Sequence, residues 1–408
     1  MKRIIGLFFG VLVIAASIVF LVRQTQASPT SPSALVVHEW GTFTSIYGSD
    51  GTMLTGIERD EEALPPFVYS HGIADGQPQF FDLSKPEQAL EFQVMRKGIK
   101  RPVQNVTVKM ETPVLYFYSP EAMNAKVSVG FRGGSISQWY PARSGGEKMP
   151  PLWREDKEGN RYIVPIDFAE PYDGSIEWDI TVEPRTPDTE FDVMKDHELP
   201  NWLHPRAPQS NLLRNANDET ETYLFYRGLG NFEQPISYRI DGGKLSVEIS
   251  DDIPFLIVLD IQSANYGRVL WSGKPGTKES IELAGSDSGF IRNQVYESLK
   301  GALTDAGLYD DEAAAMLRTW WTSYFSTPGL RAFWIVPRGF TDEVLPISVE
   351  PAPSQMERVL LGRSEILTPE FEGQLLSEFA KEPDENNFRY SRYFPAYQAR
   401  VEQLKPSR

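Results

Sequence analysis

The chain has no cysteine among its 408 residues, which excludes disulfide bonds, thiolate catalysis, zinc–cysteine sites and iron–sulfur clusters. Any metal would therefore need histidine, aspartate or glutamate as its ligands. Histidine is also scarce, because the chain has only four: His38, His71, His197 and His204. A protein of this size can be stable without covalent cross-links, so the missing disulfides do not argue against export.

The familiar catalytic motifs are missing as well. The sequence contains no GxSxG, no GxxxxGK[ST], no GxGxxG after a strand pattern, no HExxH and no EF-hand loop. It therefore assigns no catalytic residue. Positive charge is in short supply too, since 40 Lys and Arg stand against 56 Asp and Glu, for a net charge of −16. Because no basic patch offsets this excess, we expect no nucleic-acid partner.

The N-terminal segment directs the chain to a membrane. Lys2 and Arg3 precede an apolar run over residues 4–22. This run exceeds the ~7–15-residue core of a cleaved signal peptide and approaches the ~20 residues that span a bilayer. Residues 1–27 are therefore predicted to be either a signal peptide cut after Ala27 or an uncleaved anchor in the inner membrane. Both alternatives place the body outside the cytoplasm, in the periplasm or at the cell surface.

The rest of the chain is predicted to be mainly β with α (α+β). Strings such as "VQNVTVKM", "TPVLYFYS" and "AKVSVGF" alternate β-branched or aromatic residues with polar ones, as antiparallel strands do. We expect antiparallel β-sheets, as one large body or two packed β modules, with an N-terminal membrane helix. The predicted divisions are a Ser/Pro linker (28–34), a β-rich module (35–182), a long polar loop (183–222), a second β-rich module (223–289), a helical hairpin with strands and a helix (290–380), and a charged tail (381–408).

The helical hairpin is predicted at residues 290–306 and 310–326. In the first segment Ile291, Val295 and Leu299 recur at helical spacing. The second segment begins with three acidic residues, which the helix dipole favours in a first turn.

The string "VVHEWGTFTS", residues 36–45, opens the folded part and sets a histidine beside a glutamate. Neighbouring side chains on a regular strand point to opposite faces, so His38 shares a face with Trp40 and Thr42, while Glu39 faces the other way. A regular strand cannot direct both at one metal. Two interpretations remain: a structural strand with Glu39 or His38 hydrogen-bonded inside the sheet, or a metal site in which ligands from elsewhere join His38 or a bulge redirects Glu39.

A second polar string, "KDHELPNWLHPR" at residues 195–206, carries His197 and His204 within the predicted long loop. If two or three of His38, His71, His197 and His204 converged with Asp196 or Glu198, they could hold a divalent transition metal, since imidazole and carboxylate suit zinc, manganese or iron. No recognised ligand spacing supports this, and the alternative is solvent-facing or hydrogen-bonded histidines. No other cofactor is predicted.

Two further features are candidate binding residues. Arg227 lies beside Gly228 in "YLFYRGLGNF", where a turn and a planar cation could receive a carboxylate or phosphate; the alternative is a structural turn. Aromatic residues make up 12% of the chain, and Trp139 and Tyr140 form one of the densest pairs. Exposed rings at such positions could stack on sugars or anchor a protein partner.

The strings "VVHEWGTFTS", "KMETPVLYFYS", "FYRGLGNF" and "GLYDDEAAAMLRTW" together resemble a family of uncharacterised exported bacterial proteins. The resemblance covers most of the chain, from Val36 to about Glu370, and implies export. It brings no known activity and no functional residue.

These features lead us to expect an exported or membrane-anchored cell-envelope protein that binds a protein or glycan partner without catalysis. The alternative is a metal-dependent hydrolase with histidine ligands and a carboxylate as general base. Convergence of the histidines in space would distinguish the two.

Overall fold

The computed structural model describes residues 34–59, 64–71, 102–150, 153–185, 200–285, 289–383 and 392–405. The predicted membrane segment, residues 1–27, and His197 lie outside these ranges. Within the ranges, no helix combines the length and apolar character that a membrane span requires.

Most of the regular structure in the described ranges is β-strand. The strands are β1 Val36–Tyr47, β2 Tyr69–Ser70, β3 Val103–Gln104, β4 Val108–Tyr118, β5 Met123–Arg132, β6 Gly134–Tyr140, β7 Gly145–Gly146, β8 Trp153–Glu155, β9 Arg161–Ile163, β10 Ile166–Asp167, β11 Asp173–Glu183, β12 Leu212–Asn215, β13 Thr220–Glu221, β14 Leu224–Gly230, β15 Ile236–Asp241, β16 Lys244–Ile249, β17 Leu256–Ile261, β18 Tyr266–Gly273, β19 Lys278–Glu282, β20 Gly289–Phe290, β21 Gly329–Ile335, β22 Ile347–Glu350 and β23 Gln355–Ile366.

One 16-stranded sheet dominates this architecture. Its main path runs β13-β12-β11-β6-β14-β4-β1-β23-β21-β17-β18-β20, with β2, β5, β7 and β22 attached beside it. Both predicted β-rich stretches contribute strands to it. Most neighbours pair antiparallel, as expected, but β1 pairs in parallel with β23, so the sheet is mixed. The first described strand thus lies at the centre of the sheet, between β4 and the last strand of the chain.

The central strand β1 is buried on both faces, as its run of apolar and aromatic residues requires. Val37 and Phe43 belong to the larger hydrophobic core on one face. Trp40 belongs to a second core on the other face, together with Trp320 and Tyr324. The alternation predicted for the opening string is therefore realised in three dimensions.

A β-bulge interrupts the pairing of β1 with β4. Gly41 lies opposite both Thr112 and Pro113, because the register shifts between Trp40 and Thr42. A Cβ atom at Gly41 would lie 2.8 Å from the Pro113 Cα, so only glycine fits there. Thr112 has a φ of 49°, in the left-handed region that β-branched residues rarely adopt.

The helices are α1 Pro200–Leu203, α2 Arg292–Asp305, α3 Asp310–Phe325, α4 Arg338–Val344, α5 Pro369–Phe379 and α6 Phe394–Leu404. Helices α2 and α3 match the predicted hairpin to within a few residues and pack over the second core. Their apolar stripes, including Val295, Leu299 and Leu317, are buried there.

Two predicted irregular segments contain more structure than expected. Part of the 183–222 loop forms α1, β12 and β13: the buried Arg206–Glu221 ion pair (2.6 Å) joins two parts of this segment, and the Trp202 ring packs against Phe225 of β14. Part of the 381–408 tail forms α6, whose Arg400 donates to Glu372 of α5 at 2.7 Å. Both segments were misjudged because their anchoring partners are distant in sequence or polar.

Candidate functional site

His38 forms a buried hydrogen-bonded group with Glu312 and Tyr118. The His38 Nδ1 lies 2.8 Å from Glu312 Oε2, and neither side chain is exposed. An ionised carboxylate can only accept, so the His38 Nδ1–H is the donor in this contact. Glu312 also accepts from the Tyr118 hydroxyl at 2.6 Å and from the Tyr309 backbone N–H at 2.8 Å. Three donors therefore converge on one buried carboxylate; His38, Glu312 and Tyr118 are called the His38 group below.

The first turn of α3 positions this group. Glu312 is the third residue of the helix, where a side chain can reach back to the N–H that precedes the helix. The Tyr309 ring packs against the imidazole with centroids 4.4 Å apart and remains 43% exposed. Burial, together with the charge of Glu312, raises the pKa of Tyr118 well above its usual value, so its hydroxyl stays protonated as a donor. His38 Nε2 is buried and has no hydrogen-bond partner among the described residues.

Glu39 points to the opposite face of the sheet and pairs there with Arg358. The Arg358 Nε donates to Glu39 Oε2 at 2.6 Å, and the Tyr226 hydroxyl donates to Glu39 Oε1. A second contact joins Arg358 to Asp342 at 2.7 Å. Burial opposes the charge of Arg358, but Glu39 outweighs it and raises the arginine pKa above its usual value.

Thr42 and Thr44, which share the face of His38, contact a third group centred on Glu111 of β4. Thr44 Oγ1 donates to Glu111 Oε2 at 3.0 Å, and the Tyr324 hydroxyl donates to the same atom. Thr42 Oγ1 donates to the Glu111 carbonyl at 2.9 Å. The bulge next to Thr112 thus places a carboxylate in the centre of the sheet.

Cations surround Glu111. Burial raises its pKa, but Lys109 and Arg363, with the Tyr324 hydrogen bond and Arg227, outweigh that effect and lower it. Lys109 Nζ lies 3.7 Å from the carboxylate. Charged side chains in this region that are at most 8% exposed are Lys109, Glu111, Arg227, Arg331, Arg363 and Glu365.

Arg227 therefore occupies a buried position rather than an exposed turn. Its guanidinium contacts the Thr112 hydroxyl at 3.3 Å and lies over the Phe225 ring. A register shift in β14 beside Arg227 places it there. The predicted cation is present, but among the described residues the carboxylate close to it belongs to the protein itself.

The other predicted residues lie elsewhere. His71 hydrogen-bonds through its backbone to Ser137 of β6, a strand that β14 and β4 separate from β1. It packs against Trp139, with ring centroids 4.7 Å apart. Trp139 is 6% exposed and Tyr140 is 1% exposed, because β6 is an interior strand with large side chains on both cores. The expectation of solvent-facing rings is wrong.

His204 begins a short 3-10 turn after α1. Burial, with a contribution from Arg318, lowers its pKa and favours the neutral ring. Among the described residues, no group of three or more His, Asp or Glu side chains is arranged to hold a metal ion.

Sequence reasoning missed the acidic partners of the opening string. The sequence predicted that Glu312 lies in the first turn of a helix, where one of three acidic residues can cap the helix. Nothing in the sequence indicated that Glu312 would contact His38. Glu111 and Arg358 stood in strand patterns and looked like solvent-facing residues.

Comparisons with known proteins add little. No family model matches the chain, and no curated protein matches it. Among the matching solved structures are two of the yeast delta-COP-I mu-homology domain, one of them complexed with the Dsl1 WxWxV peptide. The peptide complex shares 9% sequence identity with this chain, covers 83% of it and 99% of its own chain, and has a TM-score of 0.24. The structure without the peptide shares 10% identity, covers 83% of this chain and 100% of its own, and has a TM-score of 0.23. Similarity at this level supports no conclusion about fold or function.

Proposed function

We propose that this protein is an exported or membrane-anchored cell-envelope protein that binds a protein or glycan partner and does not catalyse a reaction. The N-terminal segment and the resemblance to exported bacterial proteins support the location. The proposal that the protein does not catalyse a reaction rests on one observation: polar side chains of the opening string, residues 36–45, are hydrogen-bonded to other buried residues of the protein. His38, Glu39, Thr42 and Thr44 each bond to a buried partner, on both faces of the central strand.

These buried hydrogen bonds give the opening string, residues 36–45, a structural role. Side chains held by buried partners would have to break those contacts to reach a substrate, at a cost of roughly 1–3 kcal/mol for each polar group left unpaired. The strings shared with the exported family then describe the core of a fold, and the partner would be recognised elsewhere on the surface.

Two complementary experiments test this proposal. The purified protein is titrated with glycans of the bacterial envelope by calorimetry, and an affinity pull-down is made from envelope extracts, with the heat-denatured protein as the control. A saturable glycan, or a protein recovered only with the native protein, supports the proposal. If neither experiment yields a partner, the proposal is wrong.

A metal-dependent hydrolase is the second candidate, favoured by the geometry of His38. Metal-ligating histidines commonly donate one ring N–H to a carboxylate and keep the other nitrogen for the metal. His38 has that arrangement, because Glu312 holds Nδ1 while Nε2 bonds to no described residue. In this candidate His38 is one ligand, and His197 or other groups outside the described residues would supply the others, because no set of three or more His, Asp or Glu side chains is arranged for a metal among the residues described.

Elemental analysis by mass spectrometry tests the second candidate. The protein is purified without a metal-binding tag and compared with the His38→Ala, His71→Ala and His204→Ala variants. A near-stoichiometric transition metal that His38→Ala loses would favour the hydrolase. Protein that stays metal-free after dialysis against zinc, manganese or iron would argue against it.

A further inference from the structure

Arg143, Trp139 and His71 form a compact surface group outside the three buried groups described above. The Arg143 guanidinium lies over the Trp139 indole, with its central carbon 4.7 Å from the ring centroid. Its Nη1 lies 3.2 Å from His71 Nε2. The arginine is half-buried, whereas Trp139 and the His71 side chain are nearly inaccessible. The cation is thus held in place between an aromatic face and an imidazole.

Arg143 has no carboxylate within 4.0 Å among the described residues, unlike the buried arginines Arg206, Arg331 and Arg358, which are all ion-paired. Its Nε and Nη2 groups make no hydrogen bond to any residue in the described part of the chain. Burial lowers the pKa of Arg143 relative to its usual value, and the charge of Glu147 offsets only part of this effect. A guanidinium with two available N–H groups presents the fork that a carboxylate fits in bidentate fashion.

Two buried polar atoms belong to residues that neighbour Arg143 and His71. Glu147 Oε2 and Trp139 Nε1 have no hydrogen-bond partner among the described residues, although both side chains are more than nine-tenths buried. Glu147 Oε1 is occupied, since it accepts from the Ile136 N–H at 2.7 Å and from the Ser135 hydroxyl at 3.0 Å. The group therefore offers donors and an acceptor beside the cation, which a ligand with both a carboxylate and hydroxyls would satisfy.

We propose that Arg143, Trp139 and His71 form a binding site for the carboxylate of an acidic saccharide, such as a uronic-acid unit. The Arg143 fork receives the carboxylate, and His71 and Glu147 lie beside it for the sugar hydroxyls. The inference rests on the proposed binding function and names the glycan as an acidic one. A free organic acid shares the carboxylate chemistry, so the experiment includes both sources.

Protonation of Glu147 should strengthen the binding of a carboxylate at Arg143. Burial raises the pKa of Glu147 to about 7, so the negative charge nearest the site is lost as the pH falls below neutrality. His71 Nε2 lies 3.2 Å from Arg143 Nη1 and 3.7 Å from Glu147 Oε1. The other polar groups that face Glu147 are the Tyr172 hydroxyl and Ser135, while Glu177 packs against Gly145 of the same segment. Carboxylate affinity should therefore rise between about pH 8 and pH 6.

Calorimetric titration with sodium glucuronate, glucose and sodium acetate tests the inference on the wild type, Arg143→Gln, Arg143→Lys and Arg161→Gln. Arg161 is the matched control, since it is an exposed arginine beside Glu155 and loses the same charge. We expect the wild type to bind glucuronate, to bind acetate more weakly and not to bind glucose. Arg143→Gln should lose at least about tenfold in affinity for glucuronate and Arg143→Lys should lose less, whereas Arg161→Gln should bind as the wild type does.

Equal binding of glucuronate by wild type and Arg143→Gln, or no binding by either, would overturn the inference. Acetate binding as tightly as glucuronate would overturn the assignment to a saccharide. An envelope glycan or protein that binds independently of Arg143 would leave the proposed function standing while the site is rejected. Unfolding curves of each variant identify any loss of affinity caused by misfolding.

Discussion

Glu39 on the first strand and Arg358 on the last strand face each other directly across the parallel β1–β23 pair and form an ion pair of 2.6 Å. Neither side chain is exposed to solvent. The pair joins positions 319 residues apart and lies at the centre of the 16-stranded sheet. It therefore ties the two ends of the described fold together at a point where an unpaired charge could not be hydrated.

Removing one partner of this pair should be strongly destabilising. Glu39→Leu or Arg358→Met leaves a buried charge without its counterpart, and such single losses typically cost about 3–5 kcal/mol. The free energy of unfolding from denaturant titration measures this cost. Because the Tyr226 hydroxyl also contacts Glu39, Tyr226→Phe should show a smaller loss of roughly 1 kcal/mol.

The double variant Glu39→Leu/Arg358→Met provides the control. Replacing both charges with apolar side chains removes the burial cost of each, so its loss should be well below the sum of the single losses. Additive losses would mean that the two charges do not interact in the folded protein.

Glu312 should contribute more to stability than any one of its donors. Glu312→Ala leaves the His38 Nδ1, the Tyr118 hydroxyl and the Tyr309 N–H without their acceptor, whereas Tyr118→Phe removes one donor and leaves the other contacts intact. We expect a loss of roughly 3 kcal/mol or more for Glu312→Ala and about 1 kcal/mol for Tyr118→Phe. Thermal and denaturant unfolding of both variants measure the difference, and equal losses would contradict this account of the His38 group.

Glu147 should make the stability of the protein depend on pH. Burial raises its pKa in the folded state from 4.5 to about 7, so the folded protein holds this proton more tightly than the unfolded chain does. The stabilisation from this group is therefore complete below about pH 4.5 and is lost as the pH rises through 7, by up to about 3 kcal/mol.

The Glu147→Gln variant isolates this effect. It cannot ionise, so its free energy of unfolding should fall less than that of the wild type between about pH 5 and pH 8. At pH 8 the variant should be the more stable of the two proteins. Parallel pH profiles would show that Glu147 does not hold a shifted pKa.

The sequence predicted local features of the fold better than its long-range ones. The alternation in the opening string placed His38 and Glu39 on opposite faces, and the structure confirms this because strand geometry is a local property. The hairpin of α2 and α3 was predicted for the same reason. The parallel pairing of β1 with β23 could not be predicted, since it depends on a contact between the two ends of the chain.

The candidate site was less accessible to prediction. Glu312 lies 274 residues from His38, and Glu111 reaches the core only because a bulge at Thr112 redirects the strand. A buried charged residue in a strand has the same sequence signature as an exposed one until its partner is known. The burial of Trp139 was missed because local sequence does not distinguish an interior strand from an edge strand.

Gly362 should be intolerant of even a single methyl group. It lies in β23 directly across from the buried Trp334 of β21, and a Cβ at this position would overlap the Trp334 indole. Gly362→Ala must displace a fully buried ring next to Phe43 on β1, so a loss of roughly 1–3 kcal/mol is expected. Gly339→Ala is the matched control, because Gly339 lies in α4, a Cβ atom added there would have no other atom within 4 Å, and alanine favours a helix by up to about 1 kcal/mol. Denaturant unfolding should therefore move the two variants in opposite directions, and a neutral Gly362→Ala would show that the sheet can shift Trp334 without loss of packing.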